Sequence, residues 1–258
     1  MRPRIFISIL AGIVFATSAF VVSQDLSVEA LRRKAKTQQK NGNYKDAAEN
    51  YKTLLSREDN RENVDQDLYN AVECLKRLRK ADRIDTYIRS AVETHPKNWK
   101  LLQKAAYLLS HRVPHHGYIV AGEFQRGRHR GGGSYVRSME RDRAWSIRLL
   151  RDAIRVLPEK SSGKEIADFY LTAADIIMQH RSGGRAWKLQ VKTDLEELPD
   201  YEKGYHYSRN TTTEAPVNKD GTPVFYRIPE SFKESESDGE RWRWCLMQAV
   251  EHDSSRKN

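Results

Sequence analysis

The chain has 258 residues, carries 45 Lys and Arg against 35 Asp and Glu for a net charge of +10, and is 38% hydrophobic and 31% charged. That balance excludes a multi-span membrane protein and favours helices with broad solvated faces. Two cysteines, Cys74 and Cys245, are too few for a disulfide scaffold, and no Cys/His spacing matches a structural zinc site.

Arg2 and Arg4 precede an apolar run from Ile5 to Val22, and a polar stretch opens at Ser23. This is the layout of a secretory signal peptide over residues 1–23, with small residues for cleavage after Ala19 or Ser23. An uncleaved anchor is the alternative, since roughly 18 residues of this kind just cross the hydrocarbon core. Either way the rest of the chain is expected to be exported, to the periplasm or cell envelope. There a basic chain meets envelope surfaces and acidic proteins, and no nucleic-acid partner is expected.

From Ser27 to Ser56 the sequence reads as a helix, a break at Asn41-Gly42-Asn43, and a second helix carrying Ala47, Ala48, Tyr51, Leu54 and Leu55. Gly42, Tyr44, Ala47 and Tyr51 match the tetratricopeptide pattern, a helix pair of roughly 34 residues. Asp67 to Pro96 repeats the idea, with Leu68, Ala71, Val72 and Leu75 on one helix and Ile84, Ile88 and Ala91 on the next. Aligning Ala47 with Ile84 gives a period of 37 residues, so the array is degenerate. A third pair starts at Trp99, breaks off after His111 and resumes near Arg141, running through Trp145, Leu149, Leu150 and Ala153 to Pro158. A fourth runs from Lys164 through Ile177, breaks at Ser182-Gly183-Gly184 and continues from Arg185 to Pro199. Stacked pairs of this kind cover one another's apolar stripes, so residues 27–200 are expected to form a short solenoid.

The interruption, residues 112–140, is rich in Arg, His and Gly, and Pro114 and Gly131-Gly132-Gly133 stop any helix across most of it. The plainest reading is an ordered loop whose arginines pair with carboxylates of the solenoid. Three functional readings stand beside it. His111, His115 and His116, with His129, could hold a metal, although Pro114 breaks the helix that would align them. Arg126, Arg128 and Arg130 with the three glycines could cradle a small anion, although no Lys-Ser/Thr follows as in a P-loop. The loop could also dock a protein, with Tyr118, Phe124 and Tyr135 as anchors among Arg126, Arg128, His129, Arg130 and Arg137.

Two segments carry a family resemblance. GYIVAGEFQRGRHRGGGSYVRSMERDRAWSIRLL, from Gly117, and PVNKDGTPVFYRIPESFKESESDGERWRWCLMQAVE, from Pro216, resemble the helical amino-terminal region of large bacterial alpha-2-macroglobulin-like proteins. There, a signal peptide and tetratricopeptide-like repeats precede the macroglobulin domains. The resemblance implies a protease-trapping lineage, in which a bait segment is cleaved and the molecule closes on its attacker. The sequence reaches Asn258 without a macroglobulin, bait or thioester part, so no trapping residue is carried over. Such domains are partners only if they follow it.

Residues 201–258 change character. Tyr201 to Phe232 is rich in Tyr, Thr, Pro and Asn, with a turn at Asn218–Gly221, and reads as an irregular or hairpin segment in which Pro223 demotes one strand to an edge. Ser237 and Glu240 form a capping box that opens a last helix through Trp242, Cys245, Leu246, Ala249 and Val250. Cys245 and Gln248 have the spacing of an internal thioester, but the segment reads as mid-helix and lacks the Gly-Glu between the pair. An ordinary buried cysteine is expected, and a Cys74–Cys245 disulfide stays open. Asn210-Thr211-Thr212 is a formal sequon of little weight. No nucleophile elbow, His-Glu-x-x-His or dinucleotide glycine pattern occurs. The expectation is an all-α, tetratricopeptide-like helix-pair solenoid with a long Arg/Gly-rich loop, a small irregular or hairpin segment and a last helix. It would be exported and non-enzymatic, would need no cofactor, and would bind other proteins.

Overall fold

The computed structural model describes residues 26–158, 163–204, 217–222 and 227–257. The expected signal peptide, the sequon and half of the expected hairpin segment lie outside the described residues; the turn at Asn218–Gly221 is present, closed by Gly221 N–H to the Asn218 carbonyl at 2.9 Å. The protein is mostly helical with one small antiparallel sheet.

The first helices follow from the local sequence. The Ser27 hydroxyl accepts the Ala30 N–H and starts α1 (Val28–Lys40). The chain then reverses through Gly42, whose φ of +80° only glycine adopts without cost. In α2 (Tyr44–Leu55) the expected Ala47 and Tyr51 are fully buried. Small Ala47 lets the helices approach, while the Tyr51 hydroxyl reaches the Gln39 amide oxygen at 2.8 Å, so its ring is buried without an orphaned donor. The second and third expected pairs appear as α3 (Val64–Arg77) with α4 (Ile84–Thr94), and α5 (Trp99–His111) with α6 (Met139–Arg155). Then come α7 (Gly163–Met178) and α8 (Asp238–His252).

Each helix packs on the next along the chain, and α2 also meets α4, α3 meets α5, and α5 meets α7. Their apolar faces fuse into one core running from Val28 to Ala249. Among the described residues no helix is long and apolar enough to cross a membrane. A buried polar cluster ties the first two pairs together: Arg32 on α1 donates from Nε to both Asp67 carboxylate oxygens (3.1 and 3.0 Å), and Asn60 bridges to Asp67 at 3.0 Å. Burial outweighs these partners and leaves the Asp67 carboxyl above its ordinary range.

Two expectations are corrected. The all-α class fails because the interruption between α5 and α6 is folded as strands β1 (His116–Val120), β2 (Glu123–Arg126) and β3 (Ser134–Arg137), joined by the short β4 (Glu202–Lys203) in the order β2-β1-β3-β4. The physical reason is visible in the residues. Ala121 and Gly122 both take positive φ (51° and 86°), the condition for a two-residue hairpin loop, and glycines at φ 84–138° carry the return from β2 to β3. Glycines that stop a helix here start a sheet. The second correction concerns the fourth pair. Residues 185–199 are not an α-helix: Gly183–Gln190 is a 3-10 helix, and the Asp194 side chain then turns the backbone by accepting the Glu196 and Glu197 N–H groups. The helix that covers α7 is α8 instead.

The last helix starts where expected, with the Ser237 hydroxyl accepting the Glu240 N–H at 3.1 Å, but the Glu240 carboxylate reaches back to the N–H of Glu236 rather than of Ser237. Cys74 and Cys245 are free and buried in α3 and α8. Burial pushes the Cys74 thiol up to about 11 and Cys245 higher, so both are inert at neutral pH.

Candidate functional site: the inserted sheet and its basic groove

The sheet has two unlike faces. Residues alternate along each strand, so Ile119, Phe124, Arg126 and Val136 share one face, while His116, Tyr118, Gln125, Tyr135 and Arg137 share the other. The first face turns to the helices. Gly117 lies beneath the Phe124 ring, where a Cβ would meet Phe124 Cε2 at 2.6 Å and the Gln125 carbonyl at 2.2 Å, so no side chain fits at this register.

Arg126 anchors this face. Its guanidinium is 2% exposed and forms two bidentate pairs: with Asp85 in the first turn of α4 (2.7 and 3.0 Å) and with Asp142 in the first turn of α6 (2.7 and 2.8 Å). It also donates to the Pro114 carbonyl at 2.7 Å. Asp142 in turn accepts from the Ser138 hydroxyl at 2.8 Å and faces His115 Nδ1 at 2.9 Å. Burial opposes both charges; in each case the partners win, so Asp142 is held below and Arg126 above its ordinary range. One guanidinium thus clamps the insertion to the helices before and after it.

The other proposed contact residues divide. Phe124 is turned inward, its ring stacked on Tyr201 at 4.3 Å, and Arg137 is paired with Glu202 at 3.7 Å. Arg126, Phe124 and Arg137 therefore hold the insertion in place and do not line the groove formed by the others. Tyr118, Arg128, His129 and Arg130 come together in an open groove of about 890 Å³ between the sheet and the end of α3. Tyr135 stands edge-on to Tyr118 at 5.6 Å, and His129 tilts over Tyr118 at 5.9 Å.

Sequence reasoning missed the far wall of this groove, which is Lys76 and Arg79. Arg79 is exposed and sits at φ +57°, a left-handed position after α3 where glycine is the usual occupant. No local signal in the sequence singles Arg79 out, since its left-handed φ belongs to the folded helix end.

The histidines disperse. His111 pairs with Asp175 of α7 at 2.9 Å, His115 with Asp142, and His116 stacks over Tyr135. Burial, then the charges of Arg126 and Arg128, pushes the His116 ring below its ordinary range. Among the described residues no three His, Cys, Asp or Glu side chains are arranged to hold a metal.

Below α6 a second ion cluster supports the connection to α7. Glu140 is bound by Arg181 and by Lys188 at 3.0 Å. Burial pushes its carboxyl up, but these two cations outweigh it and lower it from 4.5 to about 2. Because the folded value lies below the unfolded one, the stabilisation is complete above about pH 4.5 and is lost as pH falls towards 2. Urea unfolding should therefore weaken between about pH 5 and pH 3, with a shallower fall in Glu140→Gln. Equal slopes in the two proteins would exclude this cluster as a source of the acid sensitivity.

No family model matches the chain, and no curated protein or solved structure matches it either.

Proposed function

We propose that the chain is an exported, non-enzymatic helical-repeat module that binds other proteins, related to the amino-terminal region of alpha-2-macroglobulin-like protease traps. The observation that carries this reading is the convergence of four sequence-nominated contact residues, Tyr118, Arg128, His129 and Arg130, on one open groove whose sheet is locked to the helices from behind. A rigid platform that leaves aromatic and guanidinium groups in solvent is the composition of a contact surface rather than of a reaction centre. The repeat reading draws on the packing of alternate helices: α3, α5 and α7 lie side by side, and a shallow cavity of about 450 Å³ runs over Asp65, Trp99, Lys104 and Lys164. Open surfaces across alternate helices are where solenoids take their ligands.

The test is made in source cells, with a photo-crosslinking side chain placed at Tyr118 and an antibody against residues 27–258. A discrete crosslinked band in the periplasmic or envelope fraction, with the uncrosslinked protein at the size of the processed chain, is the expected result. A cytosolic protein that still carries Met1 would overturn the export reading, and a protein that never crosslinks at Tyr118 or at Lys104 would overturn the binding one. A far larger parent band would make these residues the front of a trap.

A further inference from the structure

The two cavities just described differ in one physical respect. Over α5 and α7 the charges neutralise each other, as in the Lys100–Glu165 pair at 2.6 Å. In the sheet groove they do not. Lys76 is bound to Glu73, but Arg79, Arg128 and Arg130 are exposed with no carboxylate partner among the described residues, and no described acidic residue lines the groove.

We propose that this groove binds an extended acidic polypeptide segment, with carboxylates on the guanidinium rim and an apolar side chain between them on Tyr118. This rests on the reading of the chain as a protein-binding module and names the chemistry of its partner. Three features argue for the class of ligand. The floor is apolar, formed by Ala81, Pro114 and the Tyr118 ring, so part of the ligand must be apolar. The cations come from two separate segments, Arg79 after α3 and Arg128 and Arg130 after β2, so the groove offers several guanidiniums to a ligand that carries several carboxylates. Apart from the Tyr118 hydroxyl, no hydroxyl, amide or carboxylate side chain lines the groove, which leaves a saccharide's hydroxyl groups without their usual partners.

Arg79 supplies an independent argument. Its left-handed backbone is unfavourable relative to glycine, yet the position carries a long cation that lines the groove. Local conformational cost retained at a contact residue is a mark of function over stability.

The experiment uses the whole exported chain and a fluorescein-labelled twelve-residue peptide of alternating Glu and Leu, followed by anisotropy. Wild type should bind saturably at about 50 mM salt and at least ~10-fold more weakly at about 300 mM. The Arg79→Gly, Arg128→Ala, Arg130→Ala triple variant should lose at least ~10-fold in affinity, and its melting temperature should hold or rise because Arg79→Gly relieves the left-handed residue. Tyr118→Ala should weaken binding about 3-fold or more at either salt concentration. Wild-type affinity in the triple variant, or equal binding of a peptide with Gln in place of Glu, would overturn the proposal. Tighter binding of an oligogalacturonate than of the peptide would overturn the polypeptide class. If the peptide fails while crosslinking at Lys104 still captures a protein in cells, the acidic-peptide inference falls and the binding-module reading stands.

Discussion

Arg126→Ala should cost about 3–5 kcal/mol of stability, the range for removing one member of a buried ion cluster. Arg126 is the single cation between two carboxylates, Asp85 and Asp142, of which Asp142 is 2% exposed. Without it, two negative charges face each other and the Pro114 carbonyl loses its donor. Arg126→Lys should recover little, since an ammonium cannot make two bidentate pairs. Arg126→Met combined with Asp85→Asn and Asp142→Asn should recover part, because it removes the uncompensated charge. Urea unfolding followed by circular dichroism gives the number, and amide exchange over residues 116–137 tells whether the sheet detaches before the helices melt. A loss below about 1 kcal/mol for Arg126→Ala would mean that the clamp is not held as described.

This result bears on the reading of the insertion itself. Removing Arg126, Arg128 and Arg130 together to test anion binding would confound folding with recognition, since only the last two lie in solvent. The substitutions that separate the two effects are at Arg79, Arg128 and Arg130.

Much of the helical framework was legible because it follows from short-range rules. Ser27, Gly42, Asn98 and Ser237 punctuate helices by satisfying or freeing particular backbone groups, and the stripes of α1 to α6 repeat at helical spacing. The sheet's information is also local: Tyr118-Ile119-Val120 and Tyr135-Val136 are short runs of β-prone residues, and Ala121-Gly122 is a hairpin turn. Pro114 and the glycines break a helix, and only the short β-prone runs between them signal that strands take its place. The fourth pair was misread for a different reason. Residues 185–199 carry helix-compatible side chains, but the α8 stripe, some 60 residues further on, covers α7, and nothing within a local window shows which of two apolar segments wins.

The site divides along the same line. Tyr118, Arg128, His129 and Arg130 are visible as a basic, aromatic segment, whereas Lys76 and Arg79 belong to a helix end about 50 residues earlier and join them only when β2 folds back against the 3-10 turn Ala81–Arg83. Arg126 shows the converse. Its side-chain type and strand parity do not set it apart from Arg128; Arg126 is the last residue of β2 and faces Asp85 and Asp142, while Gly127 at φ +84° ends the strand before Arg128.

Asp238→Ala should be the second large loss, again about 3–5 kcal/mol, and should exceed that of Arg143→Ala. Here the anion is the hub. Asp238, at the first turn of α8, accepts from Arg143 at 2.7 Å, from Arg241 at 2.9 Å and from the Thr193 N–H at 3.1 Å. Burial pushes Arg143 down to about 10 and lowers Arg241 as well, so both guanidiniums remain charged at neutral pH and depend on this one carboxylate. Taking away Arg143 leaves Asp238 with Arg241 and Thr193, and orphans chiefly the Ile177 carbonyl. Taking away Asp238 leaves two buried cations facing each other and strips the start of α8 of a carboxylate aligned with its helix dipole. The ordering of the two single variants is therefore the sharper test, since it follows from which residue is shared and not from any absolute energy. Thermal melts should rank them, and limited proteolysis should show α8 released from α7 in Asp238→Ala first. If Arg143→Ala proves the more damaging, the Ile177 carbonyl and the packing of the Arg143 stem, rather than the shared charge, hold the last helix to the array.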